Sequence, residues 1–283
     1  FGLDEAGPTF RKAYLKYNFV IGYFFLGQDL TPYTRFSEQK AIDYESFSSL
    51  GGTSEGRLPM IMLNIKGVYI ALIQPNLDIG QGNEDNLKAL NAGVEQVFGE
   101  RQEIFMPKIA LGYDFKHDKF NVGTSFVIQQ QKIDSAGDFY DENLLSYMIT
   151  LHCGLSIAKF RMDLNAGYSM DPGNMGIFTM NNFKTKAMPN AAADGIVNTK
   201  VLEGFIDFGY DFGILSINSG VAYIQSYNPG FSEVMNGGSN IDRQMALYGG
   251  VTFPFWKYFS VTLECSYYDY LNPIVSLYPE ASG

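Results

Sequence analysis

The feature that most constrains this chain is alternation. Over segment after segment of about ten residues, apolar and polar side chains take turns with a period of two. The segments are joined alternately by very short turns and by long polar loops. Along Ile104–Lys116, Phe105, Ile109, Leu111, Tyr113 and Phe115 fall on one face, and Lys108, Ala110, Gly112 and Asp114 on the other. After the turn His117-Asp118-Lys119, Phe120, Val122, Thr124, Phe126 and Ile128 alternate with Asn121, Gly123, Ser125 and Gln129. A helix repeats about every 3.6 residues and would scatter these side chains, whereas a strand collects each set on one side.

The same hairpin recurs. Leu145–Ile157 and Phe160–Ser169 flank the turn Ala158-Lys159; Val201–Phe212 pairs with Ile214–Tyr227, and Gln244–Phe255 with Tyr258–Tyr270. The N-terminal third repeats the pattern more weakly, as Thr9–Tyr17 with Tyr23–Gln28 and as Met60–Ile65 with Val68–Gln74 about Lys66-Gly67. The count is about twelve strands in six hairpins. The long connections, Asp29–Pro59, Pro75–Glu103, Lys132–Asn143, Asp171–Lys200 and Asn228–Asp242, are rich in Asn, Asp, Gly and Ser. Within them Glu84–Phe98 can be read as a short amphipathic helix, with Leu87, Leu90, Val94 and Val97 on one face.

Too many strands carry a uniformly apolar face for one soluble sandwich, whose sheets would have to cover each other. A closed barrel in a bilayer covers them with lipid instead. The expected fold is therefore all-β: a transmembrane antiparallel up-and-down β-barrel, a single domain over residues 1–283, in a bacterial outer membrane. Composition agrees. Phe and Tyr number 23 and 19 against a single Trp, and the 30 Gly suit tight turns. A mean hydropathy of -0.07 is what polar lumen positions alternating with apolar outer ones produce. No stretch of about 18 apolar residues occurs, so no transmembrane helix is expected. No basic, then apolar, leader precedes Phe1, so a signal peptide is either cleaved or lies outside the sequence. The net charge of -10 argues against nucleic acid as a partner.

The stretch Phe10-Arg11-Lys12-Ala13-Tyr14-Leu15-Lys16-Tyr17, followed by Phe25-Leu26-Gly27-Gln28-Asp29-Leu30-Thr31-Pro32, resembles the DcaP-like trimeric porins. There a strand of the form R-x-A-Y precedes G-Q-x-W-T/S, and Gly56-Arg57-Leu58-Pro59 before the next strand is also similar. The likeness covers the first quarter of the chain. It implies a homotrimeric diffusion channel, for small organic anions in the known cases. Leu30 stands where Trp is common, and the acidic balance departs from an anion preference.

In such barrels short turns lie on the periplasmic side with both termini. Here the first strand runs towards a short turn and the last runs away from one, so both ends fall on the long-loop side. The expectation is a chain incomplete at both ends; three strands before and one after would make about sixteen, a porin size. On that count 29–59 is the third long loop, which in sixteen-stranded porins folds into the lumen and narrows it; with only one strand missing before Phe1 it would be the second loop, which often serves as a latch between protomers.

Charges projecting into the lumen are the candidate functional residues: Lys12, Lys16, Lys108 and Arg161 among the basic ones, Asp114, Asp163, Glu203, Asp207 and Glu264 among the acidic. The constriction loop adds Arg35, Glu38, Lys40 and Asp43. Charges at a narrow point select ions, because low-dielectric walls focus their field. Basic positions come mainly from early strands and acidic ones from later strands, which suggests a transverse field. The expected function is passive diffusion of small polar or charged solutes, with outer-membrane lipid and lipopolysaccharide as surroundings. The alternative is a structural or adhesive barrel with a plugged lumen.

Other chemistries find little support. With two His, a Ser-His-Asp site would need His117, in a short turn, or His152, which projects into the lumen beside Thr150 and Ser156. No glycine-rich phosphate loop opens a helix, and no zinc-ligand spacing exists, so no cofactor or metal is expected. The acidic residues Asp134, Asp138, Asp141 and Glu142 read as a solvated loop before a Ca²⁺ site. Cys153 and Cys265 both fall on outer faces, as separate thiols.

Overall fold

A computed structural model describes residues 12–37, 39, 50, 53, 55–75, 101–104, 106–134, 141–177, 185–189, 195–230, 240–256 and 259–270; at 101–103, 133–134, 141–142, 188–189, 256 and 270 only the backbone is described. Its strands are β1 (Ala13–Phe19), β2 (Gly22–Leu30), β3 (Arg57–Ile65), β4 (Val68–Ile73), β5 (Arg101–Ile104), β6 (Lys108–Lys116), β7 (Phe120–Asp134), β8 (Asp141–Ile157), β9 (Phe160–Met170), β10 (Met188–Pro189), β11 (Ile196–Val197), β12 (Lys200–Asp211), β13 (Ser216–Tyr227), β14 (Ile241–Trp256) and β15 (Phe259–Tyr270). Twelve of them follow one another in a single antiparallel path, β1-β2-β3-β4-β6-β7-β8-β9-β12-β13-β14-β15; β5 joins the same sheet beside β7, and β10 pairs with β11 alone.

The alternation read from the sequence is the alternation observed. On β8, Ile149 and Leu151 are 48% and 50% exposed, while Met148 between its outward neighbours is 0%. On β12, Leu202 is 54% exposed and Val201 0%. Inward polar residues such as Gln129, Thr150, Asn165 and Ser169 are buried. This is the reverse of a water-soluble protein, where exposed strand faces are polar. Lipid resolves it, since each large apolar side chain taken out of water gains about 1.5–3 kcal/mol. Cys153 and Cys265 are separate free thiols on this outer face.

Short turns gather at one end. Between β3 and β4, Lys66 and Gly67 have φ of 50° and 90°, the signature of a tight turn that matches strand twist. A side chain at 67 would put its Cβ 2.3 Å from the Asp114 carbonyl oxygen, so only glycine lets this turn lie against β6. Ala158 takes a similar φ of 52° between β8 and β9.

Some boundaries differ from expectation. Ile104–Lys116 is two strands, β5 and β6, interrupted before Pro107, which lacks the N–H a ladder needs. The hairpin β7–β8 runs further than expected, pairing as far as Asp134 with Asp141, so the connection there is much shorter than Lys132–Asn143. Residues of 171–199 form a 3₁₀ turn, Pro172–Met175, and the ladder β10–β11. The helix expected at Glu84–Phe98 and the acidic side chains at 134–142 lie outside the described residues.

Candidate functional site

The connection from β2 to β3 turns inward at once. Pro32 presets a turn closed by the Thr34 N–H on the Thr31 carbonyl at 3.1 Å and by their two hydroxyls at 2.7 Å. Arg35 then donates through Nη1 to the Pro32 and Thr34 carbonyls at 2.9 and 3.1 Å, and through Nη2 to Asp114 Oδ1 of β6 at 3.1 Å. Ser37 donates to the carboxylate of Asp207 on β12. Gln39 donates from Nε2 to Asp163 Oδ2 of β9 at 3.0 Å, and its carbonyl accepts from the Asn218 amide of β13. Three residues, Arg35, Ser37 and Gln39, thus meet the inner faces of four strands, and the sheet curls round them.

The returning half is fixed differently. Lys108 of β6 and Glu55 form an ion pair with both side chains at 0% exposure. Glu55 also accepts from the Tyr33 hydroxyl, and Lys108 Nζ donates to the Met175 carbonyl at 2.7 Å. One lysine therefore ties to the wall the described residues of two inward segments, Tyr33 and Glu55 of the first and Met175 of the second. Around it Tyr33, Leu50, Met175 and Ile177 pack against the inward residues of the strands, among them Met62, Tyr69 and Met148. Burial pushes the Glu55 carboxyl up although Lys108 pulls it down, and burial with the Glu55 charge pushes the Tyr33 hydroxyl well up.

The second segment has its own anchor. Asp171, buried with φ of 52°, accepts the Thr199 N–H on Oδ1 at 2.6 Å. Its Oδ2 has no hydrogen-bond partner among the described residues. Burial outweighs the Thr199 bond and pushes its pKa up to about 7.

The expected site residues fall into groups. Asp114 is brought together with Arg35 and with His152 Nε2, at 3.2 Å from its Oδ1. Arg161 and Asp163 line, with Gln39, His117 and Asn121, a polar pocket near the short-turn end. Lys12 pairs with Asp29 at 3.1 Å, and Lys16 Nζ sits 3.9 Å from the centre of the Tyr23 ring. Glu203 lies buried on β12 over Gly167, and among the described residues neither carboxylate oxygen has a hydrogen-bond partner. Glu264 is inward and half-buried on β15. Lys108 is on the inner wall as expected but sealed beneath the two segments. Glu38, Lys40 and Asp43 lie outside the described residues. Glu55, Tyr33 and Asp171 were not singled out by the sequence, because nothing in the alternation marks a loop residue for a partner on the wall.

No protein-family model and no curated protein matches the sequence. Among solved structures, the chain is similar to the outer membrane channel DcaP of Acinetobacter baumannii, with a TM-score of 0.63 and 12% identity over 92% of this chain and 71% of that one. It is also similar to outer-membrane expressed OmpT of Vibrio cholerae, with a TM-score of 0.49 and 11% identity over 92% and 70%. The first likeness shows a shared fold, that of an outer-membrane β-barrel.

Proposed function

We propose that this chain is a channel of the bacterial outer membrane through which small polar or charged solutes diffuse passively, with the segment between β2 and β3 as its constriction. The observation that carries the reading is the inward course of that segment. Arg35, Ser37 and Gln39 present a polar edge to Asp114, Asp207 and Asp163 on separate strands. Charges held at a narrow point act on passing solutes through a field that low-dielectric walls concentrate. Lys12, Lys16, Arg161 and Glu264 line the approaches in this reading, while Glu203 faces inward but is buried. The chain assembles as a homotrimer, as the resemblance of its N-terminal motif implies, in a bilayer that carries lipopolysaccharide.

A second reading rests on a specific observation. The apolar packing of Tyr33, Leu50, Met175 and Ile177 inside the sheet fills part of the interior, as a plug would. Swelling of liposomes holding the purified protein separates the two. A channel admits neutral sugars at rates that fall steeply with sugar size; a plugged barrel gives the swelling rate of protein-free liposomes for every sugar.

A further inference from the structure

The outer wall changes character at one place on its long-loop rim. Along β12 and β14 the outward residues are apolar for most of their length, including Leu202, Phe208 and Leu247, each more than a third exposed. Near the rim two cations replace them. Lys200 opens β12, and Arg243 stands near the start of β14; both are exposed. Arg243 is held on the wall. Its Nε donates to Gln225 Oε1 at 3.1 Å, and the same oxygen accepts the Tyr223 hydroxyl at 2.9 Å. Among the described residues, neither the guanidinium of Arg243 nor the ammonium of Lys200 has an ion pair with a carboxylate. Among the described residues, Asp269 of β15 shares this face, opposite Met245 and two positions along the strand from the level of Arg243.

The register places the two cations on either side of β13. Lys200 is opposite Tyr227, and Arg243 is opposite Gln225. Two strand spacings and a two-residue offset separate their Cα atoms by roughly 12 Å, a gap that two long basic side chains close from both sides. Polar side chains fixed on a lipid-facing wall are costly unless they lie at headgroup depth and have a polar partner there. A guanidinium held at Nε keeps its Nη pair free for two parallel bonds to phosphate oxygens, and an ammonium adds a point charge. Directly below, Leu202, Leu247 and Tyr168 offer apolar wall for acyl chains.

We propose that Lys200, Arg243 and the Gln225–Tyr223 pair that holds it form a binding site for the phosphorylated headgroup of an acylated lipid of the outer leaflet. The inference rests on the reading of the chain as an outer-membrane barrel with its long loops outward. Only such a lipid combines phosphate at rim depth with chains that follow the wall.

The test is binding of the two-phosphate, acylated disaccharide anchor of lipopolysaccharide to the purified full chain in neutral detergent, read by native mass spectrometry. The same lipid stripped of phosphate and inorganic phosphate serve as controls. The expected result is binding of the phosphorylated lipid alone, weakened at least about tenfold in a Lys200→Gln/Arg243→Gln variant, the loss that removing charge-assisted contacts gives. Gln225→Leu, which frees the guanidinium but keeps both charges, weakens it less. Equal binding of stripped lipid, or equal binding by the double variant, overturns the site. Heat-modifiable migration on gels checks that each variant is folded; should the double variant not fold, each single variant must weaken binding on its own. Conductance is read on the same preparation. A folded protein that binds lipid and conducts nothing contradicts the channel and leaves this site standing.

Discussion

At the scale of single residues, the interior depends on two buried acids in different situations. Glu55 has a cation, and Lys108 has Glu55 and the Met175 carbonyl. Replacing Lys108 with Met leaves Glu55 buried and unpaired, which costs about 3–5 kcal/mol. Chemical unfolding in detergent is expected to register that loss, and Lys108→Met/Glu55→Leu is expected to regain most of it, because a well-packed apolar pair is no worse than a buried ion pair. A double variant as unstable as the single one contradicts the assignment. Asp171 has half a carboxylate without a partner, and its pKa rises from 3.8 to about 7 on folding. The sign follows from linkage. The folded state holds the proton more tightly, so this contribution to stability is complete below about pH 4 and is lost as pH rises through 7. Asp171→Asn keeps an acceptor for the Thr199 N–H and removes the titration. Its melting temperature is expected to fall less than that of the unsubstituted protein between pH 4 and 7; identical slopes contradict the claim.

At the scale of elements, the outer face is defined by lipid and the inner by the two segments. Leu151 is half exposed at mid-strand on β8. Leu151→Arg is expected to destabilise the barrel by about 2–4 kcal/mol, the range for a cation on the lipid face near the bilayer midplane. Thr150→Arg, one residue on, points to the interior and would instead act on the segments there. The contrast is measured by comparing unfolding midpoints in bilayers and in water-soluble polymer. In the turn at Lys66-Gly67, Gly67→Ala meets the Asp114 carbonyl and a φ of 90°, so a loss of more than about 1 kcal/mol is expected. Strands and faces were legible in the sequence because a period of two is local: each residue's side follows from its neighbour's. The register of Lys66-Gly67 and Ala158-Lys159 was legible for the same reason. The long β7–β8 ladder was not, since it depends on what the partner strand offers; the break before Pro107 follows from a proline the alternation does not weigh. Nor was the pairing of Glu55 with Lys108, 53 positions apart, since no spacing rule links a loop to the wall it folds against.

At the scale of the molecule, the balance of interior surfaces decides what the barrel does. One part is an apolar core in which Tyr33, Leu50, Met175 and Ile177 pack with inward residues of strands from β2 to β14. The other carries Arg35, Ser37 and Gln39 against Asp114, Asp207 and Asp163. In the channel we propose, the core gives the inward segment a fixed base, and Arg35, Gln39, Asp114 and Asp163, the partly exposed members of the polar edge, would meet the water. A segment so held would narrow the pore to a constant width. The charge on that edge is a mixture, Arg35 being matched to Asp114, which suits discrimination by field and size together more than by net charge. The most direct measurement is single-channel conductance in planar bilayers, comparing the protein with an Arg35→Ala/Gln39→Ala variant, which trims two side chains of the inward segment that meet the wall. The account predicts stepwise conductance from the unaltered protein and a clearly larger step from the variant. An unaltered protein that is folded and silent, with or without conductance in the variant, would make the interior a plug and contradict the central claim.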